Sequence, residues 1–207
     1  MSTLVVPVLI FLFLKGFTTN HFDLPYFVPQ TEPGTQKVLV KGGDTLFYQL
    51  PDFTMHATDG KGFSSQQLAR KTLVISTLPA LCGDTCQKIR DHLARVAALH
   101  EAYPDLLILT LVNAAEGQPV SEAVKAPAWQ VLNVPDSLYA GYVNDIFRLN
   151  QKIGEEQTIL PHNQLELLDH DGFIRGYYNA LDPEEIERLM VEIKILEYNR
   201  KEKNSKE

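Results

Sequence analysis

Cysteine is scarce. The 207-residue sequence has two, Cys82 and Cys86. So few rule out a disulfide-built scaffold, and a pair this close in sequence staples almost nothing together. Positive charge is short as well: 19 Lys and Arg stand against 26 Asp and Glu, a formal net charge of −7. A nucleic-acid partner would need clustered cations for its phosphates, so none is expected. The chain also lacks internal repeats, a Gly-rich phosphate loop and a Ser-His-Asp spacing of note. Disorder is excluded by ordinary globular usage, with 44% apolar and 22% charged residues.

Apolar residues are concentrated at the start. Leu4 to Leu14 contains no polar side chain. Continued through Phe17 as a helix it would span about 21 Å, short of the ~30 Å hydrocarbon core. No basic residue precedes this run, and no small-x-small cleavage site follows in Lys15 to Thr19. The reading is a signal peptide or signal anchor over 1–20, with export of the rest of the chain. Residues 21–45, rich in Pro, Gly and Thr, read as a linker. A folded domain is expected over 46–198, and 199–207 as a polar, solvated tail.

Within that domain, Leu46 to Phe53 alternates like a strand, followed by a turn at Asp59-Gly60. Thr72 to Leu78 is a β-branched run suited to a buried central strand. After Cys86 the period changes. Ile89, Leu93, Val96 and Ala97 make one apolar helical stripe that ends near Tyr103-Pro104. Leu106 to Val112 is a second buried strand, so strand, helix and strand form a parallel βαβ unit. Trp129 to Val134 reads as a strand and Ser137 to Leu149 as a helix. Gln164 to Leu168 and Phe173 to Tyr178 flank the hairpin signal Asp169-His170-Asp171-Gly172. Asp182-Pro183-Glu184-Glu185 caps a last helix whose buried stripe is Ile186, Leu189, Met190 and Ile193. This order predicts an α/β chain of thioredoxin-like plan, a central mixed sheet flanked by helices.

The candidate chemistry is Cys82-Gly83-Asp84-Thr85-Cys86, a C-x3-C at the strand-to-helix junction. A helix N-terminus stabilises thiolate, which is both the nucleophile and the soft metal ligand. The wide spacing tilts the pair toward metal, and C-x2-C would suit a redox dithiol better. Two thiolates suit monovalent copper, and an added imidazole suits the divalent ion as well. Of six histidines, His92 and His100 read as surface residues, His170 as a turn residue, and His21 and His56 as outlying. His162 precedes the strand Gln164 to Leu168, on a loop expected to face the dithiol.

These residues resemble the Sco/SenC family of thioredoxin-like copper proteins, in its Bacteroidota-type form. The resemblance runs from about Leu24 to Ile195. It is carried by Leu24-Pro25-Tyr26-Phe27, Leu50-Pro51-Asp52-Phe53-Thr54, Asp59-Gly60-Lys61, the C-x3-C, and His162 before Leu168-Asp169. Phe173-Ile174-Arg175-Gly176-Tyr177-Tyr178 leading into Asp182-Pro183-Glu184-Glu185-Ile186 completes it. In the family motif C-P-x-x-C-P, Gly83 and Gln87 stand for both prolines, Pro79 replaces an aromatic, and Asn163 follows the histidine in place of Ser. An Asp-Pro-containing stretch gives way to Asn113-Ala114-Ala115. The resemblance implies that Cys82, Cys86 and His162 hold one copper ion, Cu(I) or Cu(II). It implies delivery to the copper-centre subunit of a terminal cytochrome c oxidase, a thiol reductant as second partner, and a membrane-anchored domain on the extracytoplasmic side. The alternative is a thiol-disulfide oxidoreductase using Cys82 and Cys86. Analogy with thioredoxins makes Cys82 the attacker, whereas Cys86 gains more from the helix dipole. A peroxiredoxin is disfavoured, since Pro79 stands three residues before Cys82 where that chemistry uses Thr. A silent domain with a closed disulfide completes the alternatives.

Overall fold

The computed structural model describes residues 23–56, 62–78, 84–114, 126–149 and 163–205. Its centre is a five-stranded sheet of β5 (Thr72–Leu78), β6 (Leu106–Asn113), β7 (Trp129–Val134), β8 (Gln164–Leu168) and β9 (Ile174–Asn179). Their spatial order is β7-β6-β5-β8-β9. Strands β5, β6 and β7 are parallel, while β8 runs antiparallel to both β5 and β9. Helix α1 (Asp84–Ala97) joins β5 to β6, so the expected βαβ unit is present. A 3-10 turn, Ala98–Glu101, prolongs it. The whole is the mixed, thioredoxin-like sheet anticipated from the element order.

Every residue of β5 and β6 is buried, because the sheet is covered on both faces. On one face Val74, Leu78, Ile108 and Leu165 meet the α1 stripe Ile89, Leu93 and Val96. Ile186, Leu189 and Ile193 of α3 (Pro183–Asn204) join this cluster, and Met190 lies half-buried at its margin. Each such aliphatic side chain contributes roughly 1.5–3 kcal/mol by leaving water. Helix α3 starts as its sequence dictates: Asp182 accepts a hydrogen bond from the Glu184 amide at 2.9 Å, with Pro183 at the first helical position. Arg95 reaches across from α1 to Glu187 of α3.

The opposite face is built differently. It is covered by β3 (Thr54–His56) and β4 (Gly62–Ser64), by the segment around Tyr48, and by α2 (Asp136–Gly141). The helix expected over Ser137 to Leu149 runs α-helically only to Gly141. It then widens into a π-helical turn, Tyr142–Ile146, closed by the Phe147 amide donating to the Tyr142 carbonyl at 2.9 Å. The wider turn allows both Val143 and Phe147 to be buried against the sheet. Leu46 to Phe53 is not a continuous strand. It touches its neighbours through the single bridges Pro29↔Phe47 and Gln49↔Phe173, and Pro51 removes a ladder donor.

Two terminal stretches carry more structure than their compositions suggest. Within 21–45, β1 (Val40–Lys41) pairs with β2 (Asp44–Thr45), and Thr31 bridges Val38. At the other end α3 continues through Asn204, past the expected boundary at 199, with Lys201 and Lys203 complementing its C-terminal dipole. The apolar segment at 1–20 and the Asp59-Gly60 turn lie outside the described residues. No helix among the described residues is long and apolar enough to cross a membrane.

The motif residues Tyr26, Asp169 and Arg175 meet at one end of the sheet. Arg175 donates to Asp169 at 2.9 Å and to the carbonyls of Pro25 and Leu24, and its guanidinium lies 3.9 Å from the centre of the Tyr26 ring. Asp169 also accepts from the amides of Asp171 and Phe173, each at 3.0 Å, which shapes the β8–β9 turn. Gly172 completes that turn at a φ of 82°, a conformation natural only to glycine.

Candidate functional site

Of the three candidate ligands, Cys86 lies within the described residues; Cys82 and His162 lie outside them. Cys86 is the third residue of α1 and is buried at 2% exposure against the β5 face of the sheet. It is disulfide-bonded, and the chain's only other cysteine is Cys82. Among the described residues no cluster of three or more His, Cys, Asp or Glu could hold a metal ion.

The sequence folds this way locally for plain reasons. Strand β5 ends at Leu78 and α1 begins at Asp84, an acidic residue favoured in a first helical turn. Gln87, standing where the resemblance has its second proline, faces outward. It donates to Asp91 at 2.8 Å and accepts from Arg90 at 2.7 Å. A row of buried polar groups crosses the sheet on the α1 side. Ser76 and Thr110 share a hydrogen bond of 2.6 Å, and the Trp129 indole donates to Thr110 at 2.9 Å. Asn113, at the end of β6, donates to Asp136 at 2.8 Å and so fixes the start of α2.

Strand pairing sets where the other candidate segment enters. Ser76 pairs with Leu165 and Leu73 with Leu168, so β8 begins at the end of the sheet where β5 finishes. Asn163, the residue after His162, is buried at 8% exposure, and its Oδ1 has no hydrogen-bond partner. The Asn163 carbonyl accepts from the Ala180 amide at 2.7 Å, which ties this end of β8 to the exit of β9.

Of the four other described histidines, His56 is exposed on β3 and the remaining three make structural contacts. His92 Nδ1 lies 2.8 Å from the Ala180 carbonyl and His100 Nδ1 lies 3.1 Å from that of Leu106. Both were expected at the surface but are partly buried, because the rings fill the seams between α1 and its neighbours. His170 lies in the β8–β9 turn with Nε2 3.3 Å from Asp171.

One buried acid was not singled out in the sequence. Glu166 reads as the middle of an ordinary strand, Gln164 to Leu168, but is wholly buried. Burial pushes its carboxyl well above the ordinary range, and hydrogen bonding with the Tyr177 side chain acts in the other direction. The alternation Gln164-Leu165-Glu166-Leu167 gives no signal of this, since it places Glu166 on a polar face, yet all five positions of β8 are buried.

Known structures share this architecture. A SCO1/SenC family lipoprotein from Bacillus anthracis str. Ames matches with a TM-score of 0.56 at 16% identity, covering 72% of this chain and 95% of that one. The chain has the fold of the Sco/SenC proteins. BsSco, a member of the Sco family of cytochrome c oxidase assembly proteins with an identified disulfide switch, gives 0.54 at 18% identity over 71% and 92% of the two chains. Bradyrhizobium japonicum ScoI with copper bound gives 0.52 at 15% identity over 72% and 99%. At these identities the likeness is one of fold. No family model matches the chain, and no curated protein matches it.

Proposed function

We propose that the chain is an exported, membrane-anchored Sco/SenC-type protein that binds copper and delivers it to a terminal cytochrome c oxidase. Cys82, Cys86 and His162 are the proposed ligands of one ion, held as Cu(I) or Cu(II). The observation that carries this reading is the sheet topology. Cys86 sits on the first turn after β5, and β8, entered directly after His162, starts at the same end of the sheet. The donor set fits the cargo, since soft thiolates favour monovalent copper and imidazole extends the site to the divalent ion. Loading requires the Cys86 disulfide to be reduced first, which gives the proposed thiol reductant its role. The apolar run Leu4 to Leu14 supports export and anchoring, and a disulfide is at home outside the cytosol.

The bonded state of Cys86 favours one second reading, a thiol-disulfide oxidoreductase. In its reduced form one thiolate would attack a partner disulfide and the other would resolve the mixed disulfide. The partner leaves as a dithiol and this chain as a disulfide, to be re-reduced by an exported thiol reductant. Copper loading of the reduced chain separates the two. The copper reading expects one Cu(I) per chain, lost in Cys82→Ser and Cys86→Ser, and stable Cu(II) binding and oxidase assembly lost in His162→Ala. Retention of Cu(II) and oxidase assembly by His162→Ala, together with efficient turnover of a model disulfide, would replace it with the oxidoreductase.

A further inference from the structure

The stretch expected as a loose linker, 21–45, is fastened to the domain from its first described residues. Leu24 packs against the core on the α1 side, and its carbonyl and that of Pro25 accept from Arg175. Tyr26 stacks on Phe47 and meets Phe173 edge-on, each with ring centres 5.3 Å apart. The Phe27 amide donates to the Ile174 carbonyl at 2.9 Å, and Pro29 bridges Phe47. Phe173, Ile174 and Arg175 all lie where β9 starts, so the chain is clamped at one particular end of the sheet.

That end is the one away from Cys86. β5 runs from Thr72 to Leu78, and Cys86 follows its finish. Leu168, the last residue of β8, pairs with Leu73 near the start of β5, and the Asp169–Arg175 pair follows it. β9 ends opposite Gln164, so the first turn of α3 lies at the Cys86 end. The length of β5 separates the two ends by about 20 Å.

Chain length then limits how the domain can sit on an anchor. Only residues 18–22 lie between the apolar run, taken through Phe17, and Asp23. Fully extended they bridge at most about 20 Å. A folded chain of this size is roughly 40 Å across, so turning its Cys86 end toward a bilayer would lift Asp23 by about that width. The connection is too short to follow. Residues 18–45, left free, would have allowed it, with a root-mean-square reach of roughly 30 Å and about 90 Å when stretched. The surface beside the clamp carries both signs of charge: a cleft there is lined by Asp23, Asp171, His170, Arg200 and Lys203. This is not the polybasic patch that selects anionic lipid, and it suits a zwitterionic headgroup layer.

Resting on the membrane-anchored reading, we propose that the end formed by the β8–β9 turn and the last turns of α3 is the membrane-facing surface of the domain, set against zwitterionic phospholipid, and that the clamp and short connection hold the Cys86 end off the bilayer. A partner, whether copper acceptor or thiol reductant, then has to bring its reacting group to the site about 20 Å or more above the lipid. Groups lying at the lipid surface itself are out of reach.

The test uses the full chain in phosphatidylcholine nanodiscs with nitroxide-bearing headgroups, reading the broadening of each backbone amide signal. The amides of Leu24, Asp171 and Gly172 should broaden strongly. Those of Thr85 and Glu184 should broaden at least about tenfold less, because the effect falls with the sixth power of distance and they stand about 20 Å further off. Inserting about 25 Gly and Ser residues between Asn20 and His21 keeps every described contact and should bring the two groups within about twofold of each other. Equal or reversed broadening in the unmodified chain, or a contrast that survives the insertion unchanged, overturns the proposal while leaving the anchoring reading in place. A chain that does not co-purify with the nanodiscs overturns the anchoring reading, and this proposal with it.

Discussion

Replacing Asp169 with alanine tests whether one buried ion pair holds the start of the described chain to the sheet. The Asp169 side chain is 4% exposed and that of Arg175 9%. Asp169 accepts three hydrogen bonds, one from Arg175 and two from turn amides. Truncation therefore strands a buried guanidinium and two amides at once, and removing one partner of such a pair costs about 3–5 kcal/mol. In a chain this size that corresponds to a fall in Tm of roughly 6–20 °C. Asp169→Asn keeps an oxygen for the turn amides but loses the ionic bond, so it should cost less, about 1.5–3 kcal/mol. Urea unfolding of Asp169→Ala, Arg175→Met and the double variant closes the cycle. Because each single change leaves the other partner unpaired, the double variant should be clearly more stable than the sum of the two predicts. Limited proteolysis should also cut near Leu24 to Tyr26 sooner in each single variant, since Arg175 grips that stretch through the carbonyls of Leu24 and Pro25 and the Tyr26 ring. A cost below about 1 kcal/mol for Asp169→Ala, or additive costs in the cycle, would refute the idea that this pair secures the N-terminal stretch.

Two further outcomes can be measured on the same preparations. Glu166 holds its proton more tightly in the folded chain than in the unfolded one, so the stability linked to that proton is complete below the unfolded value of about 4.3. It is lost at up to about 1.4 kcal/mol per pH unit as pH rises toward the folded value; urea melts at successive pH should show the wild type falling away from Glu166→Gln over that window. Gly176→Ala would drive a Cβ into the hydroxyl and ring of Tyr178, whose ring is fully buried and whose hydroxyl is held 2.5 Å from Glu192. Overpacking of this kind costs about 1–3 kcal/mol, and a variant as stable as wild type in thermal melts would show that the Tyr178 ring can move aside.

The parts of this fold that could be read from sequence are those where one period dominates. Thr72 to Leu78 and Trp129 to Val134 were legible to the residue, because strand runs bounded by turn signals leave little choice. The α1 stripe and the Asp182-Pro183 start of α3 were equally clear. The π-helical turn was not, since an extra residue in one helical turn leaves no pattern in a segment of this length. Leu46 to Phe53 alternates because it lies along the sheet with one side inward, a pattern that does not require ladder pairing. Glu166 was hidden for the opposite reason: Gln164-Leu165-Glu166-Leu167 alternates like a half-exposed strand with Glu166 outward, whereas both faces of β8 are buried. For the candidate site, sequence placed Cys86 correctly at the strand-to-helix junction, while Cys82 and His162 rest on the motif and on the pairing of β5 with β8.

The strand order has a consequence for how the chain is made. β5 is the middle strand, yet one of its two partners, β8, begins at residue 164. A growing chain that has completed β5, β6 and β7 therefore presents the bare side of a strand that is buried throughout in the finished fold until the C-terminal hairpin arrives. Such an open edge is a template for pairing with other chains. Chains that stop before residue 164, whether by truncation, stalling or proteolysis, should be caught by holdase chaperones or lost to aggregates. The same late arrival means that no ion needing both Cys86 and His162 can be captured before the hairpin has docked.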